Sequence, residues 1–145
     1  MLYELSEKGT EKILQESFVV CVFSNHFKKE VIGWLDKILA VAKVQMNTKS
    51  NKKKMTFIVR DDGTIISKML INKYKDDKTI DIVTNKIDWE SGKNAGLKSM
   101  GDTIKHCNMA LCLYDGKDKL ENIFMSFTDP FNMIVYNMFT GQESQ

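Results

Sequence analysis

Histidine and cysteine are the first places to look for chemistry. The chain has two histidines, His26 and His106, and three cysteines, Cys21, Cys107 and Cys112. His106, Cys107 and Cys112 fall within seven residues. Zinc sites are usually built from paired Cys-x-x-Cys or His-x-x-x-His spacings, and no fourth ligand is evident, so no metal is expected. Cysteine catalysis needs a base that faces the sulfur. Neighbours on a helix point about 100° apart, so His106 cannot activate Cys107 from the next position. An odd cysteine count without Cys-x-x-Cys spacing also argues against a disulfide framework. The expectation is free thiols, with Cys21 and Cys112 packed as small hydrophobes in apolar runs, in a reducing, cytoplasmic setting.

Carboxylates and phosphate loops come next. Metal-dependent nucleases of the restriction type place an acidic residue and an Asp/Glu-x-Lys on adjacent strands to hold a cation and activate water. The nearest patterns, Asp76-Asp77-Lys78 and Asp115-Gly116-Lys117, sit where turns are expected, and turn chemistry accounts for them. A small metal-dependent nuclease is the third-ranked reading. Phosphate-binding fingerprints of the GxxxxGK[ST] and GxGxxG type are absent, as is a GxSxG elbow. Ser91-Gly92-Lys93-Asn94-Ala95-Gly96 precedes a helical pattern. A helix start attracts anions, but any loop leading into a helix has this composition. No cofactor is expected.

The basic residues are almost all lysine. Of 21 basic side chains Arg60 is the only arginine, and 19 acidic residues leave a net charge of +2. Arginine is preferred for bidentate recognition of phosphate and guanine, so sequence-specific DNA binding is disfavoured. Lys49, Lys52, Lys53 and Lys54, with Lys73 and Lys75, offer a non-specific, salt-sensitive alternative. No aromatic residue interleaves with the Lys49–Lys54 loop to stack on bases. The bias toward Lys, Asn and Ile, with a single proline, points to an AT-rich genome such as that of a phage, a virus or a low-GC bacterium.

The elements that must position these residues follow from periodicity. A chain of 145 residues is one domain on length, taken as 1–140 with a flexible tail at 141–145. Residues 6–17 read as a helix, and 18–23 as either a strand or a buried helical segment. Residues 26–45 place Phe27, Val31, Trp34, Leu35, Ile38, Ala42 and Gln45 at steps of three and four, which predicts a helix. Residues 55–60 and 64–71 flank Asp61-Asp62-Gly63, a hairpin signal, and 79–87 predicts a third strand. Residues 97–107 read as a helix. A second hairpin is expected from 109–114 and 119–127. Pro130 behind Thr128 and Asp129 starts a last helix.

The expected fold is therefore α+β, in the order α-α-β-β-β-α-β-β-α. About five strands form an antiparallel sheet, with helices mainly on one face. The order α-β-β-β-α-β-β-α resembles that of the small dimeric chaperones of secretion systems, at the level of architecture, although those are usually acidic. A last helix that is apolar almost all round must be buried or pack on a partner, so a protein partner and a homodimer are expected. Nine methionines and eight phenylalanines suit adaptable interfaces. The expected function is a small non-enzymatic protein-binding or modulating module. Trp89, Phe131, Val135, Met138 and Phe139 would carry the partner surface, and a nucleic-acid-associated protein is the alternative. Neither a leader peptide nor a membrane span is expected. The N-terminus is charged early, and the apolar run 18–23 is far shorter than the roughly 20 residues a span needs.

Overall fold

A computed structural model describes residues 1–24, 35–61, 65–113, 134–137 and 142–144. Its strands form where apolar residues run together without alternation. Phe18 and Val20 are buried on one face of FVVCVFS while Val19, Cys21 and Phe23 are buried on the other. The runs MTFIV, IDIV and MALC are buried in the same way. A strand covered on both faces belongs in a parallel sheet flanked by helices.

The described elements are β1 (Leu2–Glu4), α1 (Thr10–Glu16), β2 (Phe18–Ser24), α2 (Leu35–Lys49), β3 (Met55–Asp61), α3 (Ile65–Tyr74), β4 (Ile80–Lys86), a 3₁₀ turn at Trp89–Ser91, α4 (Ala95–Ile104), β5 (Met109–Leu113), β6 (Ile134–Asn137) and β7 (Gln142–Ser144). The sheet order is β1-β4-β3-β2-β5-β6-β7. The strands β1 to β5 are all parallel, β6 continues in the same sense, and β7 returns antiparallel beside it.

The strand order dictates where the helices go. From β2 the chain steps to β3 and then β4 in one direction, with α2 and α3 on one face. It then crosses back to β5 with α4 on the other face, where α1 also lies. Right-handed crossovers require this change of face when the direction of travel reverses. Two cores result. Leu35, Ile38, Ala42, Ile66, Leu70 and Tyr74 pack on Phe57, Ile82 and Leu111. Leu14, Met100 and Ile104 pack on Val19, Ile58, Val83 and Ala110.

The mixture of helices and strands is as expected, but the antiparallel sheet is not. Tight turns were expected to join the first three strands to one another and the last two to each other, whereas from β2 to β5 each strand is joined to the next through a helix. Of residues 64–71, the expected second arm of a hairpin, 65–71 lie in α3. Its buried Ile66, Leu70 and Tyr74 recur every fourth residue. Helices on one face are replaced by helices on both. The expected last helix is overturned at 134–137, which pair with β5 as a strand. Residues 142–144, within the stretch expected as a flexible tail, pair with β6. With its first hairpin replaced by a strand and a helix, the resemblance to secretion chaperones has no structural basis. The expected hairpin arm at 119–127 and the start of the 26–45 helix lie outside the described residues.

Candidate functional site

The strand order reverses between β2 and β5. The successor of β2 lies on one side of it and β5 lies on the other. At this point Ser24 and Leu113 are paired at the carboxyl ends of their strands. The helices that follow β2 and β3 lie on one face of the sheet and the helix that precedes β5 lies on the other. Open α/β sheets hold ligands at such a reversal, in a crevice outside the carboxyl ends of the strands. The amino ends of α3 and α4, which follow β3 and β4, open on the same edge, and helix amino ends favour negative charge.

Arg60 is the cation built into this edge. Alternation along β3 turns it to the face covered by α4. Its Nε donates to Ser99 Oγ at 3.2 Å and its Nη2 donates to the Gly96 carbonyl at 3.0 Å. The guanidinium carbon stands 5.7 Å from the centre of the Phe23 ring on β2, within cation–π range. Gly96 lies in the first turn of α4. A Cβ there would meet Trp89 Cζ3 at 3.8 Å and Arg60 Nη2 at 3.9 Å. The stretch 91–96, weighed as a phosphate cradle and read as an ordinary lead into a helix, stands at the carboxyl edge and runs into the start of α4. Gly92 turns it with a φ of 126°, a conformation that L side chains rarely adopt. Trp89, the one described member of the expected partner surface whose side chain can be placed, is 63% exposed. The side chains of Phe131, Val135, Met138 and Phe139 lie outside the described residues.

The expected nucleic-acid lysines gather at the opposite, amino edge, where the loops into β3 and β4 run side by side. Several have protein partners. Lys54 Nζ lies 2.9 Å from Oδ2 of the buried Asp81, and its hydrogen bond and charge raise the Lys54 pKa. The ammonium of Lys73 pairs with Asp36, which raises its pKa too. Lys52 Nζ donates to the Gln15 carbonyl at 2.6 Å. Lys49, Lys53 and Lys75 are exposed.

The remaining candidates have structural surroundings. Asp77 accepts from the Thr79 amide at 2.8 Å and the Thr79 hydroxyl at 2.6 Å, which lowers its pKa and closes the turn into β4. This is turn chemistry, with the acid outside a strand. Asp115-Gly116-Lys117 and His26 lie outside the described residues. The Cys107 thiol donates to the Thr103 carbonyl. Burial and a hydrogen bond with Cys21 push its pKa well up, so it is a poor nucleophile. His106 is half-buried, and desolvation followed by the charge of Lys105 lowers its pKa. Among the described residues no group of three His, Cys, Asp or Glu side chains is placed to hold a metal ion, and no helix is long and apolar enough to cross a membrane.

No family model, curated protein or solved structure matches the chain. Sequence reasoning passed over Arg60 as a functional residue. The signal was present: the only arginine ends an apolar strand run, where a parallel sheet presents its carboxyl edge.

Proposed function

We propose that the chain is a ligand-binding α/β domain that takes a small anionic molecule at the carboxyl edge, between β2 and β5. The reversal of strand order at Ser24 and Leu113 carries this reading. Its anionic preference is supported by the amino ends of α3 and α4 on that edge and by the fixed Arg60 guanidinium nearby. The test is a titration of the labelled protein with nucleotides and sugar phosphates, followed by amide resonances. Saturable shifts centred on Ser24, Arg60 and Leu113 are expected. Shifts confined to the amino edge, or none at millimolar ligand, would defeat the reading.

A second reading keeps the protein partner. It is favoured by Trp89, a large apolar side chain exposed on this same edge where aromatic residues anchor interfaces. A dimer seen by light scattering and lost in Trp89→Ser would support it over the small ligand.

A further inference from the structure

We infer that the amino edge is a second binding surface, one that grips the sugar-phosphate backbone of a nucleic acid without reading its bases. The surface is assembled by the fold from separate parts of the sequence. Residues 47–54 and 72–79 contribute seven lysines and two aspartates, a local charge of +5 in a chain whose net charge is +2. The β3–β4 register, with Met55 opposite Ile80, sets the two segments side by side. Lys54 and Lys73 are held by Asp81 and Asp36, while Asp77 is turned onto Thr79. Lys53, Lys75 and Lys78 stand exposed.

The surface continues past β2. Lys52 also lines a cleft of about 390 Å³ with Gln15, Lys105, His106 and Asn108, between the ends of α1 and α4. Glu11 is the acidic residue lining it, and Lys105 is 3.6 Å from Asp102. The cleft is therefore the weaker end of the surface and the lysine loops the stronger. From the entrance of β4 to that of β5 is three strand spacings, roughly 14 Å, enough for about four phosphates of one strand.

The residue types settle what kind of contact this is. Lysine is a point charge suited to phosphate, without the planar fork that reads guanine. The aromatic residue in these segments, Tyr74, is 3% exposed and stacked on Phe57, so it offers no face to a base. Binding through phosphates alone is non-specific and falls steeply with salt.

The experiment is fluorescence anisotropy with a labelled single strand of about 16 nucleotides, starting near 50 mM salt. With four phosphates engaged, log K should fall against log salt with a slope of about −3. The variant Lys53→Glu/Lys75→Glu/Lys78→Glu should weaken binding at least tenfold. The control Lys8→Glu/Lys68→Glu/Lys98→Glu alters three exposed lysines away from this edge and carries the same net charge. It should bind within about threefold of the parent, since distant surface charges are screened. Circular dichroism checks that both are folded, and Lys→Gln at the same three positions is the milder replacement if the first is not. No binding at low salt overturns the inference. Equal loss in both variants does so too, because bulk charge would then be the cause. A polyglutamate peptide that competes as well as unlabelled strand overturns the nucleic acid as the partner.

Discussion

His106 shows how a single side chain can make stability depend on pH. Desolvation is the main influence on its imidazole and Lys105 the next, while Asp102 and Glu11 oppose them; the balance leaves its pKa lowered. The unfolded chain therefore takes up the proton first as the solution is acidified. The contribution is fully present above the ordinary histidine value of about 6.5 and is lost as pH falls through the lower folded value. His106→Gln should flatten that part of the curve. Urea midpoints taken between about pH 7.5 and 5 should decline less in the variant than in the parent; parallel declines would place the sensitivity elsewhere. At this scale the sequence was informative about what the residues are not. Spacing alone excluded a Cys107–His106 dyad and gave no support for zinc. It could not show that Lys54 and Lys73 would be drawn into ion pairs with Asp81 and Asp36. Those pairs depend on which segments become neighbours.

The element that decided the architecture is α3. Its sequence, IISKMLINKY, is apolar enough at its start to pass for a strand. In a strand Ile66, Lys68 and Leu70 would share one face. In the helix Ile66 and Leu70 are buried while Lys68 is exposed. Lys68→Glu should change stability by less than about 0.5 kcal/mol, and Leu70→Ala should cost about 2–5 kcal/mol, both read from denaturant unfolding. A large cost at Lys68 would contradict the helix. Strand positions at 55–60, 79–87 and 109–114 were legible because apolar, β-branched runs stand out against polar loops. Their pairing was not. The Asp61-Asp62-Gly63 turn signal suggested an immediate antiparallel return, yet a helix follows, and β3 pairs with β2 and β4 in parallel. The near-continuous apolar runs were the better guide, since alternation is what a strand with one wet face would show.

At the scale of the molecule, the sheet separates two cores that, among the described residues, share no side chains. Leu70 lies in one and Ile104 in the other, and each is almost wholly buried. Substitutions in them should act independently. Leu70→Ala and Ile104→Ala together should cost the sum of the single losses within about 0.5 kcal/mol, and a larger coupling would mean that strain passes through the sheet. Charge is divided along the other axis. The amino edge is lysine-rich, and the carboxyl edge carries helix amino ends with one arginine pinned among them. Two surfaces of different character therefore lie at opposite ends of the same strands, and a ligand at one need not obstruct the other.

The position of β1 has a consequence in time. Its partner in the sheet is β4, and the amine of Met1 reaches the carbonyl of Ile80, 79 residues along the chain. Val19 and Asn108, which are hydrogen bonded, are 89 residues apart. During synthesis β1 waits for its partner β4 until some 79 further residues have followed it, and the central β2–β5 ladder, 89 residues across, waits longer still. Such long loop closures slow assembly, and while they are pending the early strand has an unsatisfied edge open to whatever else is nearby.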